Sequence, residues 1–495
     1  MRVSQNMLYY NSINNMNKSL AEMMRLNEMG YSQKRINSPS DDPAGAAIAV
    51  ALRSQGMRLE DYQDNIKAAK GWLTLGDSTL SQASTLIASI KAKAQQASND
   101  TVTADQRLIT ADEVRQFLDE MLALSNTEYV GKSIFAGHKT DSNAYEKALS
   151  ATSLDESIPG SAVEMVQGDA KRSVKVEFLD SGTVGGATDL QYRYSKDGGK
   201  TWTTATLPAG SRTLDCGGAD LTLADGTAAT GRAGDTDGSA FIIRPTAQYM
   251  GDDQDDVSVE KYGAADINAK AEGNFRTGTV VRVDANATLP GPVQYSYSLD
   301  GGDTWVSGLT SSNGRLAVPG GTLELTPDTG NTLSAGDQFT LDQREARINI
   351  NISRDSEVEV NNVGKDIFGG LYQEPGASHP SANPDKGNLF ETIGELIGYL
   401  ETNDRDGIAD CLDKLQDAHE TLLSGAASTG ARLDRLTNSA YALGIQADNT
   451  TTSLSGVEDA DLFKLTADTA RAQVIYSTVL KTTSQIMNLS ILNYL

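Results

Sequence analysis

The spacing of apolar residues divides the chain into two helical ends and a central region with a different pattern. From residue 1 to about 135, apolar residues recur every three or four positions, as they do on the buried face of a helix. In one such run the spacings of three and four residues alternate without interruption, which predicts a coiled-coil seam. The seam is formed by Leu73, Gly76, Leu80, Ala83, Ile87, Ile90, Ala94 and Ala97. The same period returns at about residue 388 and continues toward the C-terminus.

The C-terminal helical region carries several apolar stripes in succession. They are predicted between Leu389 and Leu400, between Ile408 and Leu422, and between Leu433 and Val457. The last segment places six residues on one predicted assembly seam, Ala472, Ile475, Val479, Thr482, Ile486 and Leu489. A neighbouring face of that segment carries Tyr476, Leu480 and Met487.

The central region, from about 150 to 385, has the pattern of an all-β structure. Short alternating runs such as "VKVEF" and "LQYRYS" are separated by Gly-Gly, Asp-Gly and Pro-Gly turns. The hairpin sequence "YSKDGGKTW" at 194–202 returns as "YSLDGGDTW" at 297–305, an offset of 103 residues. A second similarity, between 221–235 and 323–337, extends the repeat, so two copies of one β module are expected.

These patterns predict an α+β fold. The N- and C-terminal helices are expected to pair in a coiled-coil or helical-bundle stalk, from which the inserted β region protrudes. The expected domains are a terminal helix over 1–35, the N-terminal part of the stalk over 36–150, β modules over 151–270 and 271–384, the C-terminal part of the stalk over 385–459, and a terminal helix over 460–495.

Charge and cysteine content exclude several classes of function. The net charge of −24 argues against nucleic-acid binding, which needs a basic face. The two cysteines, Cys216 and Cys411, are too few for a disulfide framework or a zinc site. No apolar run reaches 18 residues, so no membrane span is expected, and the N-terminus lacks the pattern of a cleaved signal peptide.

The first 35 residues form a basic exception within this acidic chain. They contain five basic residues against two acidic ones. Such a stripe is either a solvated helix face or a surface that meets acidic regions of other subunits.

Candidate chemistry is sparse, and no catalytic residue, cofactor or metal is expected. The three histidines lie far apart in the sequence and outside any HExxH pattern. "SKDGGKTW" resembles the Asp-box hairpin of sialidase-type propellers, but two copies at an interval of 103 do not make a propeller. The acidic loops 234–238 and 251–256 are interpreted as solvated turns or, alternatively, as calcium sites.

Three segments resemble a known family. "KRINSPSDDPAGAAIAVAL" at 34–52 resembles the N-terminal segment shared by flagellins and flagellar hook-associated proteins, and "STGARLDRLTNSAYAL" at 428–443 resembles their C-terminal counterpart. "GKSIFAGHKTDSNAYE" at 131–146 is more specific and resembles the hook–filament junction members of that family. The residues that carry the resemblance are Arg35, Asn37, Asp41, Asp42, Pro43, Ile134, Phe135 and Gly137. Independently of the resemblance, Asp42 and Pro43 have the residue types of a helix cap and a first helical position.

The resemblance implies a structural subunit of the bacterial flagellum that connects hook to filament. It implies as partners hook-associated protein 1, flagellin, further copies of the chain in a ring, and an export chaperone at the C-terminal helix. It also implies export through the flagellar type III channel to the cell exterior. The alternatives are a flagellin and, more remotely, an Asp-box carbohydrate-active enzyme.

The two extreme ends, 1–35 and 460–495, are expected to fold only on assembly. They carry too few apolar side chains to offset the conformational entropy lost when a free helix becomes ordered. They are therefore predicted to be mobile in the monomer and helical in the assembled structure.

Overall fold

The computed structural model describes residues 2–233, 238–253, 256–264, 266–275, 277–344, 346–374, 377, 379–382 and 387–492, without the side chains of 2–6, 8, 9, 344 and 486–492. Helices occupy the two ends of the chain and strands the middle, which confirms the predicted α+β class. The helices are α1 Arg2–Ser32, α2 Pro43–Ala97, α3 Ala104–Ser125, α4 Gly364–Phe368, α5 Leu389–Thr402, α6 Arg405–Glu458 and α7 Leu462–Leu492.

Short strands follow one another between α3 and α5. Up to residue 250 they are β1 Glu128–Tyr129, β2 Lys132–Ser133, β3 Tyr145–Ser153, β4 Val163–Gly168, β5 Val174–Phe178, β6 Gly182–Thr183, β7 Leu190–Ser195, β8 Thr203–Leu207, β9 Thr213–Asp215, β10 Ala219–Leu223, β11 Ala228–Ala229 and β12 Ala240–Tyr249. After it they are β13 Asp256–Tyr262, β14 Ile267–Gly273, β15 Thr279–Val283, β16 Ala287–Thr288, β17 Val293–Ser298, β18 Val306–Ser311, β19 Arg315–Val318, β20 Gly321–Pro327, β21 Thr332–Leu333, β22 Gln338–Arg344, β23 Asn349–Ser353, β24 Ser356–Glu359, β25 Leu371–Tyr372 and β26 Ser381–Ala382. We call 145–249 the first β region and 256–344 the second β region.

Contacts between residues divide the chain into two compact units. The terminal unit comprises Met1–Lys67, Asn351–Ser356 and Leu436–Leu495. The central unit comprises Ala68–Ile350 and Glu357–Arg435. Both α2 and α6 contribute residues to each unit.

The helices of the central unit pack around the seam that the spacing in α2 predicts. All eight seam residues, from Leu73 to Ala97, are buried. The C-terminal half of α2 shares one apolar cluster with α3, α5 and the first half of α6. Polar pairs flank this cluster, since Ser84 Oγ lies 2.8 Å from His419 Nε2 and Lys91 bonds Gln416.

The first β region contributes most strands of a large sheet, to which β25 and β26 also belong, and it contains a smaller sheet around a common core. The large sheet has the strand order β26-β25-β12-β5-β7-β8, and β3 pairs with β12 along its whole length. The smaller sheet has the order β4-β10-β9. Phe178, Phe241 and Leu221 are fully buried in the shared core.

The second β region has a core of its own. A five-stranded sheet with the order β13-β22-β15-β17-β18 is accompanied by a three-stranded sheet, β14-β20-β19. Its apolar cluster consists of residues of this region, with Val281, Leu323 and Phe339 fully buried.

An ion pair joins the helices of the central unit to the first β region. Arg244 of β12 is nearly inaccessible to solvent and donates to Glu391 of α5 at 2.7 Å. Burial raises the pKa of Glu391, but the charge and hydrogen bonds of Arg244 lower it below its ordinary value overall. The carboxylate therefore stays ionised inside the structure, where only a paired charge is tolerated.

Candidate assembly surfaces

The loop between α1 and α2 is bonded to the C-terminal end of α6 within the terminal unit. The backbone N–H of Arg35 donates to the carbonyl of Glu458 at 2.6 Å, and its guanidinium donates to the carbonyl of Val457 at 2.8 Å. The N–H of Ala460 in turn donates to the carbonyl of Gln33 at 2.9 Å. These bonds satisfy carbonyls at the end of α6 and link the α1–α2 loop to the start of the α6–α7 connection.

The side chain of Glu458 is the electrostatic centre of this junction. It is only 2% exposed and pairs with both Lys34 and Arg53, with Arg53 Nε donating to Oε2 at 3.1 Å. Burial raises the pKa of Glu458, yet the hydrogen bonds from Arg53 and Lys34 outweigh it and lower the pKa overall. The pattern of the sequence did not identify Glu458, because a single acidic residue at a helix end has no recognisable motif.

Other residues of the family segment organise the start of α2. The Oδ2 atom of Asp41 accepts from the N–H of Asn37 at 3.1 Å and of Ser38 at 2.8 Å, which closes the loop just before α2. Asp42 Oδ1 accepts from the N–H of Gly45 at 3.0 Å, and α2 begins at Pro43. The predicted cap and first helical position are therefore confirmed.

Three of the five basic residues in the first 35 positions have partners within the terminal unit. Lys34 and Arg35 are bonded to the end of α6, and Arg25 donates to Glu22 of its own helix at 2.7 Å. Part of this charge therefore stabilises the terminal unit itself.

Helices α1 and α7 lie antiparallel in the terminal unit and share a small apolar cluster. Leu26 of α1 is buried with Leu465 and Ala472 of α7, and Met29 and Ala460 pack against them. Among the described side chains of α1 and α7, three buried apolar residues are few for two helices of 31 residues each.

The predicted seam of α7 is divided between two faces of the helix. Ala472 is buried and Val479 half-buried, whereas Ile475 is 46% exposed and Thr482 is exposed. The side chains of Ile486 and Leu489 lie outside the described residues. The structure therefore does not bring the described seam residues together on one buried face.

The segment Ile134–Gly137 lies in the core of the central unit. Ile134 and Phe135 are buried, and the Phe135 ring meets the Phe368 ring edge-on with centroids 5.2 Å apart. The Phe135 carbonyl accepts from the N–H of Gly364 at 2.9 Å and from Tyr249 Oη at 3.0 Å. This motif supports packing rather than presenting a surface.

Gly137 turns the chain beside both ends of the second β region. Its φ of +67° is in the left-handed region, and a Cβ there would lie 2.9 Å from the carbonyl oxygen of Asp252 and 3.3 Å from Cα of Ala346. The N–H of Asp252 donates to the Ala136 carbonyl at 3.1 Å, and His138 Nε2 lies 3.2 Å from the Arg347 carbonyl. The turn therefore contacts the chain where it enters and leaves the second β region.

The first repeated hairpin is closed by Asp197. Its carboxylate accepts from Ser195 Oγ at 2.7 Å, from the N–H of Thr201 at 2.8 Å and from Thr201 Oγ1 at 2.6 Å. The hydrogen bonds from Thr201 lower the pKa of Asp197 to about 2. The Arg193 guanidinium covers the Trp202 ring at 4.0 Å from its centroid.

The second hairpin has the same bonds around Asp300. Ser298 Oγ lies at 2.6 Å and Thr304 N at 2.9 Å from its carboxylate. Arg282 lies over Trp305 at 4.2 Å from the ring centroid. Both aspartates thus hold a turn, and a cation already covers the face of each tryptophan.

The described part of the chain has no cluster of side chains suited to bind a metal ion. It contains no group of three or more His, Cys, Asp or Glu side chains arranged to hold a metal ion. Asp252 and Asp253 of the acidic loop pair with Lys139 and Lys365. The loop 234–237 and residues 254–255 lie outside the described residues. Among the described helices, none has the length and apolarity needed to cross a membrane.

Known proteins are similar to parts of this chain. Residues 3–140 match the family model of the bacterial flagellin N-terminal helical region. Flagellar hook-associated protein 3 of Salmonella typhimurium is 34% identical over 149 residues, which are 30% of this chain and 47% of that protein. A flagellin of Clostridium tyrobutyricum is 29% identical over 140 residues, 28% of this chain and 37% of that protein. The chain thus spans about half or less of the length of these curated relatives.

A solved structure covers more of the chain at lower identity. Flagellar hook associated protein-3 from Legionella pneumophila is 15% identical, covers 82% of this chain and 98% of its own, and has a TM-score of 0.32. The resemblance of the N-terminal segments to flagellins and flagellar hook-associated proteins, expected from the sequence, is confirmed by the two curated relatives and the family model.

Proposed function

We propose that this chain is a structural subunit of the bacterial flagellum, a junction adaptor that connects hook to filament through its terminal helices. The observation that carries the proposal is the similarity to hook-associated protein 3, at 34% identity over 149 residues, together with the flagellin-type helical region at 3–140. The bonds of Arg35 and Glu458 support it, because they join the N-terminal region to the C-terminal helices.

The partners of such an adaptor are the axial proteins on either side and copies of itself. We infer that the chain contacts hook-associated protein 1 and flagellin, forms a ring, and meets an export chaperone at α7. The exposed Ile475 and the half-buried Val479 support an assembly role for α7, because both leave apolar surface for a neighbouring chain. The proposed location is the cell exterior, reached through the flagellar export channel.

We further propose a stalk of paired terminal helices that carries two duplicated β modules, with the domain boundaries expected from the sequence. The burial of the α2 seam beside α6 supports the pairing. Equivalent strands have equivalent neighbours in the two β regions: β5-β7-β8 corresponds to β15-β17-β18, and β4-β10-β9 to β14-β20-β19. The matching bonds of Asp197 and Asp300 add to this support.

A filament flagellin is the second candidate, since flagellins share the N-terminal similarity at 29% identity. Immunogold imaging of isolated flagella separates the two. If the chain is an adaptor, the antibody against it should label one band between hook and filament. Label along the whole filament would contradict the proposal. A strain lacking the chain should export flagellin without attaching filaments to its hooks.

A carbohydrate-active enzyme is suggested only by the two Asp-box hairpins. Their aspartates bond the turn and their tryptophans lie under arginines, so neither copy offers an acid and a nucleophile to a sugar. Glycosidase assays on the full chain should give the rate of the buffer control.

A further inference from the structure

An exposed apolar residue occupies the tip of the hairpin between α3 and β3. Strands β1 and β2 are joined by Val130 and Gly131, and Glu128 pairs with Ser133 across the hairpin. Val130 is 86% exposed, which is unusual for an aliphatic side chain at a tight turn. The flanking Glu128 and Lys132 are exposed as well.

The backbone of this tip is unfavourable for valine. Val130 has a φ of +53° and Gly131 a φ of +74°, so both residues are left-handed, as a two-residue type I′ turn requires. Asparagine and glycine adopt this conformation readily, whereas a β-branched side chain is strained there. Val130 therefore stabilises neither the turn nor the core, and its apolar surface remains available to a partner.

The rest of the hairpin is firmly held. The Tyr129 ring lies 6.0 Å from the Trp72 ring, and the N–H of Ile134 donates to the carbonyl of Thr127 at 3.2 Å. Val130 thus projects from a preorganised support, which lowers the entropy lost on binding.

A cleft of matching chemistry lies elsewhere on the central unit. It has a volume of about 310 Å³ and lies among α3, β3, β12 and the loop after β4. Leu118, Leu122, Leu149 and Ala170 supply apolar walls. Charged residues of both signs stand around it. Lys147 and Asp119 form an ion pair with each other and Arg115 pairs with Glu401, whereas Asp169 and Lys171 are exposed at the rim.

The geometry points to a contact between copies of this chain, in which Val130 of one copy enters the cleft of the next. The volume accommodates a valine side chain, and the two charges beside Val130 find opposite charges around the cleft. Glu128 meets Lys171, and Lys132 meets Asp169, because Lys147 and Asp119 are already paired with each other. Val130 and the cleft are different patches of the surface, so the contact is heterologous. Such a contact can repeat from copy to copy, as a ring requires.

This inference rests on the proposed function, since it names how neighbouring copies of the adaptor meet. It is tested by mixing full-length Val130→Cys with full-length Ala170→Cys under a short thiol crosslinker, in solution and in isolated flagella. The native Cys216 and Cys411 are buried, and burial raises the pKa of each thiol to about 12, so they react little.

A crosslinked pair that forms only when both variants are present supports the contact. The proposed contact is overturned if Val130→Cys crosslinks to itself without Ala170→Cys. It is also overturned if flagella that contain both variants give no crosslink. Junction bands without the crosslink leave the proposed function intact. If the chain is absent from the junction, the proposed function itself is contradicted.

Two further variants separate contact from folding. Val130→Asn relieves the backbone strain, so the monomer should unfold at the same or a higher temperature while incorporation into the junction falls at least tenfold. Ala170→Trp fills the cleft and should give the same loss. Val306→Asn, at another exposed valine, is the matched control and should incorporate normally. Full incorporation of Val130→Asn contradicts the contact.

Discussion

At the scale of single residues, Glu458 is a buried charge that joins the α1–α2 loop, α2 and the end of α6 within the terminal unit. Its carboxylate is 2% exposed and bonded by Lys34 and Arg53. Glu458→Gln should lower the local stability of the junction by about 1 kcal/mol, since the cations are partly exposed and screened. Hydrogen exchange of the Arg35 and Ala460 amides measures this, because both donate across the junction.

The effect of Glu458→Gln should depend on pH with a defined sign. The pKa of Glu458 is lowered in the folded chain, so its contribution is present above the unfolded pKa of about 4.3 and is lost as pH falls through the folded pKa. The difference in protection between wild type and variant should be constant from about pH 5 to 8 and shrink below about pH 4. Glu60→Gln, at an exposed position of α2, is the control, and an equal effect there would remove the role assigned to Glu458.

Gly137 allows a separate test of close packing. Gly137→Ala introduces a Cβ 2.9 Å from the Asp252 carbonyl at a φ of +67°. Gly131→Ala imposes a similar backbone strain at a φ of +74°, where no described atom lies within 4 Å of the new Cβ. Gly137→Ala should therefore lower the unfolding free energy by about 1–2 kcal/mol more than Gly131→Ala, as measured by calorimetry. Equal losses would show that strain alone acts at both sites.

At the scale of elements, the sequence predicts a helix seam only where one apolar face is present. In α2 the period of three and four residues identified eight positions, and all eight are buried. In α7 two neighbouring faces are apolar, and the periodicity could not tell which one meets α1. The structure places Ala472 inward and Ile475 outward. Choosing between such faces depends on partners in space, which one-dimensional periodicity does not contain.

A substitution in α7 tests its assembly role. Val479→Asp puts a charge on the half-buried face and should abolish incorporation into the junction, because an unpaired charge is not tolerated in a buried contact. The exposed Gln473→Asp is the control and should incorporate normally. Near-ultraviolet circular dichroism should show the β regions of both variants folded. Normal filament attachment with Val479→Asp would exclude this face from the seam.

At the scale of the whole molecule, the sequence predicted the order of helical and β regions but not what joins them. The family segment at 134–137 was recognised by resemblance, yet its packing of Phe135 on Phe368 and of Gly137 on Asp252 was not. These partners lie more than 100 positions away in the chain. The repeated hairpins show the same limit, because equivalent glycines of nearly identical sequences have different surroundings. Gly198 packs against the carbonyl of Glu401, whereas the space beside Gly301 is open among the described residues.

The largest prediction concerns the two ends of the chain. Among the described side chains, the cluster between α1 and α7 has Leu26, Leu465 and Ala472 as its buried apolar residues, and most other described residues of both helices are half-buried or exposed. So small a buried surface does little to offset the conformational entropy lost when two helices of 31 residues become ordered. We therefore expect the helical state of both ends to depend on contacts with neighbouring subunits.

Limited proteolysis of the purified monomer and of isolated flagella checks this coupling. In the monomer, 1–35 and 460–495 should be removed first, while the central unit survives as a stable fragment. In flagella the same segments should resist cleavage at equal protease concentration, because burial between subunits orders them. The Glu458 junction limits how far cleavage proceeds, so Glu458→Gln should extend the digestion beyond residue 35. Ends that resist the protease in the monomer would mean that the α1–α7 pair is stable by itself, and assembly would then join preformed helices.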